Sequence, residues 1–449
     1  MLLIYITLVN FILFDTPFKF NVILSLLLGL YYVVIIFRLI KAKTNNFLTK
    51  DRFLERWVYV MYFVFIFIFL SAVILKFFSG LNSDQWLIDF YVLTSTVWLF
   101  LLVYIFLTFV DFQVYCKAKS AIFVSMKSIK QYQEQFVAYL EHYNRSRSPR
   151  NLYDPVQYIL KLGGKRLRPT LTLMTADCFE GDVSASLDAA LAIEVFHNFS
   201  LIHDDIMDNA PLRRGQQTVH EKWDLNTGIL SGDAMLIMAY QLFESYNADQ
   251  FQQLTTLFSK TALQVCEGQQ YDVDFETRYD VTISEYTKMI EYKTAVLVAA
   301  AMQMGAIVAK APEESQKKCY AFGRNLGIAF QLQDDYLDAF GDPETFGKQV
   351  GGDIIENKKT YLVLKVMELG SNQNKAKLQA LYQNSSIDSD EKIAEVLQIF
   401  SESGAAEATK QAIESYTQIA FDDLESLDIK LEKKELLRSF GAQLMTRTS

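Results

Sequence analysis

The chain has 449 residues, more than one ordinary domain needs, so a second region is expected. Apolar residues make up 51% of it and crowd into the first quarter; the rest reads as a soluble helical protein. The formal net charge of −9 argues against a nucleic-acid partner, although local Lys and Arg clusters leave room for an anionic substrate. Cys116, Cys178, Cys266 and Cys319 are scattered without C-x-x-C spacing, which argues against a zinc site or a disulfide framework.

Residues 20–37, 57–78 and 86–110 are apolar runs long enough for a bilayer core, which needs about 20 helical residues. Residues 1–14 are apolar but short, and lack the basic start and cleavage site of a signal peptide. They are a fourth span or an interfacial segment. The loop 38–56 carries Arg38, Lys41, Lys43, Lys50, Arg52 and Arg56, whereas 79–85 carries neither Lys nor Arg. The positive-inside rule puts 38–56, and everything after the last span, in the cytoplasm. The expectation is a transmembrane helical region of three or four spans, 1–115, set in the cell (inner) membrane. Anchoring is its simplest role, with substrate or partner binding as the other reading.

Residues 116–150 read as a linker and first helix, the helix covering about 125–143 and breaking in the polar stretch 144–149. From 151 to 449 helical periodicity dominates, with apolar residues at 3.6-type spacing in 187–209, 228–247, 251–275, 284–310, 315–340 and 358–369. Gly163-Gly164, Gly341-Asp342-Pro343 and Gly351-Gly352 mark turns between helices. Strand alternation is hard to find, so the fold class is all-α, a bundle whose site is built from side chains on facing helices. The tail 371–449 is amphipathic and is expected to pack on the outside.

Two acidic stretches carry the chemistry. One is Asp204-Asp205-Ile206-Met207-Asp208, followed by Arg213-Arg214; the other is Asp334-Asp335-Tyr336-Leu337-Asp338. Each lies in an apolar helical run, and residues four apart share a helix face, so Asp204 projects with Asp208 and Asp334 with Asp338. Bare carboxylate pairs facing a cavity repel each other, and magnesium, a hard cation that shares oxygen ligands with substrate phosphates, relieves the repulsion. Upstream, the glycine turn Gly163-Gly164 leads into Lys165, Arg166, Arg168 and Pro169, a combination suited to a diphosphate.

These stretches resemble the aspartate-rich regions of the trans-isoprenyl diphosphate synthases, or polyprenyl synthetases, and the resemblance runs from about residue 125 to the C-terminus. It implies an isoprenoid-synthase helical bundle, a homodimer, and a Mg-dependent head-to-tail condensation of isopentenyl diphosphate with an allylic diphosphate. By the resemblance, Lys165, Arg168, His197 and Arg214 bind the isopentenyl diphosphate. Asp204, Asp205 and Asp208, with Arg213, serve the allylic diphosphate through magnesium, about three ions per active site. Asp334 is a further metal ligand, supported by Asp335 and Asp338. Gln331, Lys293, Thr294, Lys348 and Lys358 match further diphosphate contacts, and Gly268-Gln269 with Asp272 fits the pattern. Gly352 departs from it, standing where many bacterial members carry lysine. The stretch 340–358 is similar to the farnesyl/geranylgeranyl branch.

In this family a bulky residue four or five positions before the first aspartate closes the pocket floor. Here Phe199 stands at minus five and Ser200 at minus four, which points to a C20 product, with C15 second and a longer-chain polyprenyl product as the alternative. A terpene cyclase would not need the 163–169 stretch, Arg213-Arg214 or Lys358. A catalytically silent, membrane-tethered partner subunit would be expected to have lost an aspartate or arginine, and all are present.

Overall fold

The computed structural model describes residues 127–341, 350–384 and 387–446. The expected membrane spans and Lys348 lie outside the described residues. All described residues belong to one unit, Ala121–Ser449.

Helix α1 (Ile129–Tyr143) starts at a capping box: the Ser128 hydroxyl accepts from the Gln131 N–H, and the Gln131 side chain accepts from the Ser128 N–H. Tyr132, Phe136 and Leu140 recur every four residues and are buried. They face α3 (Leu167–Cys178) and α4 (Leu187–Met207), which follow α2 (Arg150–Lys161). The helix expected as part of a linker is therefore a wall of the bundle. Its sequence hides this, because only three of its fifteen positions are buried and most of the rest are polar.

After α4 the chain forms a small hairpin, β1 (Leu212–Arg213) against β2 (Gln216–Gln217). Arg214 and Gly215 both have positive φ, as a tight two-residue hairpin turn demands. Strands of two residues are too short to alternate, which is why the sequence pattern misses them. The bundle continues with α5 (Val219–Lys222), α6 (Leu225–Gln241, capped by Asp224) and α7 (Ala248–Thr277, capped by Asn247). The single helix expected over 284–310 is in fact α8 (Ile283–Ile290), a π-helical turn (Glu291–Ala295) and α9 (Val296–Val308). The turn is seated against α7 at Gly268, where a Cβ would lie only 2.3 Å from the Lys293 nitrogen. Glycine therefore permits a backbone approach that apolar spacing cannot report.

Helix α10 (Glu313–Phe340) carries the second acidic stretch, and α11 (Gly352–Ile355) and α12 (Tyr361–Leu369) follow. Next come α13 (Asn372–Gln383), α14 (Ser389–Glu402), α15 (Ala405–Glu425) and α16 (Leu431–Met445). The tail is less peripheral than its charge suggests. Helix α15 packs along α10, and Leu437, Phe440 and Leu444 of α16 are buried in the main core. Helices α13 and α14 enclose a smaller core around Leu378, Val396, Ile399 and Phe400.

Among the described residues, one helix, Ser184–Met207, is long and apolar enough to cross a membrane, yet 67% of its most apolar window is buried inside the bundle. That is the setting of a core helix. Its burial carries Asp204 and Asp205 to the end of the bundle where the chemistry gathers.

Candidate active site

The C-terminal turn of α4 presents three carboxylates with different surroundings. Asp205 is 1% exposed, and its two carboxylate oxygens share the Arg213 Nε–H, at 2.7 and 2.9 Å. Arg213 reaches Asp204 more loosely, at 3.4 Å. Lys293, from the π-turn, lies 3.4 Å from Asp204 Oδ1 and 2.6 Å from Asp272 on α7. Burial works against the Lys293 ammonium, but Asp204 and Asp272 outweigh it and hold its pKa above the ordinary lysine value. Asp208 is open to solvent on one side. Crowding by protein atoms on the other, and then the Asp204 carboxylate, push its pKa up to about 6.

The second acidic stretch ends α10. Asp334 and Asp338 are half-buried, while Asp335 is buried. Asp335 accepts hydrogen bonds from the Tyr286 hydroxyl and from Gln331 Nε2 (3.2 Å), and Gln331 in turn accepts from Thr294 Oγ1 (3.0 Å). Burial first, and then the Asp353 carboxylate, raise the Asp335 pKa above the ordinary carboxylate range. Asp338 Oδ2 accepts from the Asp353 N–H at 3.0 Å. Lys358 pairs with Glu356 (2.8 Å) and Asp353 (3.5 Å), and its charge is also felt at Asp208 and Asp272. Lys358 thus pairs directly with Asp353, beside the second acidic stretch, and its positive charge favours the ionised form of Asp208 in the first.

A separate cationic cluster sits at the start of α3. Arg168 Nη1 is 3.2 Å from His197 Nε2. Burial, followed by Arg168, Arg214 and Arg213, drives the His197 pKa well below its ordinary value, so the ring is neutral at pH 7. Arg214 donates to the Gly163 carbonyl, and its guanidinium fills the space beside Gly164, where a Cβ would meet Nη2 at 2.8 Å. Gly164 has φ +119, a conformation that favours glycine, and a side chain there would displace the Arg214 guanidinium. The Lys165 side chain is exposed, and its carbonyl accepts from Gln133 of α1 at 3.1 Å. Arg166, the middle cation, turns inward to the buried Glu194 and the Leu160 carbonyl. The cluster carries more positive charge than its partners neutralise, which suits an anion.

Phe199 is 8% exposed and packs between Phe196 and His203, with ring centroids 5.4 and 4.8 Å away. At about 100° per residue it lies some 140° around α4 from Asp204. Ser200 is on the Asp204 side, and its hydroxyl donates to the His197 carbonyl at 2.9 Å. Phe199 is thus a buried ring offset around α4 from Asp204, and Ser200 is the small residue on the Asp204 face.

Among the described residues, no three acidic, imidazole or thiol side chains converge to hold a metal ion unaided. The donor set nevertheless fits a magnesium ion completed by a diphosphate, since magnesium needs only one or two carboxylates besides water and phosphate oxygens. Asp204 Oδ1 is buried and accepts no hydrogen bond, its nearest cation being Lys293 at 3.4 Å, and after burial the Asp204 carboxylate is the next cause that raises the Asp208 pKa.

Tyr286 and Asp353 escaped the sequence reading. Tyr286 lies 49 positions before the aspartate it contacts, and no local pattern marks it. Asp353 had a weak signal, following the Gly351-Gly352 turn and preceding Lys358.

An all-α bundle that joins two acidic helix ends beside a cationic pocket defines the isoprenoid-synthase class. The polyprenyl synthetase family model matches residues 149–400. A solved geranylgeranyl pyrophosphate synthase is 56% identical and superposes with a TM-score of 0.70, covering 72% of this chain and 100% of that one. The geranylgeranyl diphosphate synthase of Methanosarcina mazei is 42% identical over 224 residues, 49% of this chain and 69% of its own. The geranylfarnesyl diphosphate synthase of Natronomonas pharaonis is 41% identical over 240 residues, 49% of this chain and 70% of its own. The chain belongs to the polyprenyl synthetase family.

Proposed function

We propose that this chain is a prenyltransferase that joins isopentenyl diphosphate head-to-tail to an allylic diphosphate, giving a short-chain trans-prenyl diphosphate. The observation that carries the reading is the pairing of two distinct anion sites: carboxylates and lysines suited to a metal-bound diphosphate, and the Arg168–His197–Arg214 cluster suited to a diphosphate without metal. Two diphosphates are what a head-to-tail condensation must hold.

In this reading Asp204, Asp208 and Asp334 hold magnesium, which supplies charge neutralisation of the departing diphosphate. Asp205 and Asp335 stand behind them. Asp205 aims Arg213, and Asp335 is tied to Thr294 through Gln331. Arg213, Lys293 and Lys358 present positive charge to the allylic diphosphate, where negative charge grows as the C–O bond breaks. Lys165, Arg168, His197 and Arg214 orient the isopentenyl diphosphate so that its double bond attacks the allylic carbon. The new C–C bond forms as a proton leaves, and the released diphosphate takes it. The apolar side chains of α4 and α9 keep water from the cation.

The product we assign is C20, with C15 second. Relatives named for geranylgeranyl and geranylfarnesyl products support a short chain. We further assign a homodimer. Leu230 and Ile237 are 59% exposed, lie seven residues apart on one stripe of α6, and have Leu263 exposed on the neighbouring α7. Residues 1–115 would anchor the enzyme in the cell membrane through three or four spans, with 116–150 leading into a synthase domain, 151–449, on the cytoplasmic side; loop charge supports that orientation.

The test is product analysis of the detergent-purified protein with magnesium, isopentenyl diphosphate and dimethylallyl, geranyl or farnesyl diphosphate in turn. A C20 product is expected. A C30 or longer product would overturn the chain-length assignment and keep the reaction. No elongation by folded protein would overturn the reaction.

A further inference from the structure

Lys392 stands out because a lysine so deeply buried usually has an acidic partner. It is 5% exposed, on α14, more than thirty positions beyond the site residues. Among the described residues no carboxylate forms an ion pair with it. Its ammonium instead donates to Asn357 Oδ1 at 2.7 Å and to the Ile355 carbonyl at 3.3 Å, and sits 5.3 Å from the centroid of the Tyr382 ring. The burial lowers its pKa. A charge kept in such a place costs stability unless its bonds are needed.

Those bonds converge on one turn. Asn357 ends the segment after α11 in the left-handed conformation, with φ +58, which few residues adopt readily. The next residue is Lys358, whose charge reaches Asp208 and Asp272. Beside Lys392, Ile393 packs over Gly351 at the other end of the same segment, where a Cβ would lie 2.7 Å from its Cδ1. Helix α14 thus grips the loop 351–357 at both ends, by an apolar contact before α11 and by a buried ammonium after it.

We propose that Lys392 is a positioning residue: by bonding Ile355 and Asn357 it fixes the turn that presents Lys358 to the allylic diphosphate. The proposal rests on the function assigned above. It makes Lys392 act through Lys358 alone, with no contact to substrate of its own.

The test is steady-state kinetics of the full chain with geranyl diphosphate and isopentenyl diphosphate. Lys392→Met keeps the length and removes the charge and donors. It should raise KM for geranyl diphosphate roughly tenfold, the usual scale for a group that orients a ligand-binding side chain, and leave KM for isopentenyl diphosphate unchanged. In a Lys358→Ala background the same change should add nothing. Asn357→Gly, which retains the left-handed turn and removes the acceptor, should reproduce the effect even if Lys392→Met folds poorly. Unchanged KM for geranyl diphosphate in an active enzyme, or a loss that multiplies with that of Lys358→Ala, overturns the positioning role. An inert wild-type protein overturns the function itself, and the positioning role with it.

Discussion

Arg213 grips Asp205 through Nε at 2.7 and 2.9 Å, while its approach to Asp204 stops at 3.4 Å. One arginine therefore sorts three neighbouring carboxylates, neutralising the buried one and leaving Asp204 and Asp208 for a cation. Arg213→Met would strand a buried charge on Asp205. The expected cost is about 3 kcal/mol of stability, measurable by chemical denaturation. Adding Asp205→Leu should restore much of that stability, while condensation activity stays lost in both variants.

Asp208 has a sign that can be worked out. Its folded pKa of about 6 lies above the ordinary 3.8, so the charged form is disfavoured in the fold. The destabilisation is full above pH 6 and is relieved as pH falls from about 6 towards 4. Metal-free protein should therefore gain thermal stability from this group on going from pH 7 to pH 5. Asp208→Asn should flatten that dependence and weaken the rise in Tm on adding magnesium at pH 7. Thermal melts with and without magnesium check both.

Phe199 and Ser200 make opposite predictions. Ser200 lies on the carboxylate side of α4, so Ser200→Phe should shorten the product towards C15. Phe199→Ala should lengthen it, by loosening the wall against Phe196, at a cost of about 3–5 kcal/mol for a buried ring. Chromatography of the dephosphorylated products reads both outcomes. An unchanged product from a folded Phe199→Ala protein would make the ring ordinary core.

Truncation should separate anchor from enzyme. A chain starting at Lys127 keeps α1 and its buried Tyr132, Phe136 and Leu140, and should condense substrates without detergent. A chain starting at residue 145 exposes the core those side chains cover and should fail to fold cooperatively. Fractionation and circular dichroism distinguish the two.

The exposed stripe on α6 predicts the assembly. Leu230→Asp with Ile237→Asp should shift the truncated protein from dimer to monomer in sedimentation experiments, because charges inserted at an apolar interface are stripped of water without partners. Unchanged mass would remove that face from the interface.

Much of this protein was legible as a string. Helical periodicity located the long helices between 187 and 340 to within a few residues because their buried faces are apolar and regular, but it did not single out Ala405–Glu425 in the charged tail. The spacing of Asp204, Asp208, Asp334 and Asp338 announced paired carboxylates because the α-helix brings every fourth residue to one face. The glycine turn before Arg168 was readable for the same kind of local reason. What the sequence determined by itself is the class of chemistry: residues close in the chain held apolar helix, acidic pair and basic turn in one short alphabet.

Only the tertiary structure decided how those groups divide the work. Arg166 and Arg168 look alike in the sequence, yet one is buried against Glu194 and the other faces His197. Asp334 and Asp335 are neighbours, yet only the second is buried beneath Tyr286, a residue with no motif to mark it. Lys392 reads as one more charge in an amphipathic tail until α14 is seen to lie against the turn before Lys358. The reason is physical: a side chain's charge, bonding and reach depend on which distant elements surround it. Those surroundings are set by packing between helices, and local spacing records only the face each helix offers.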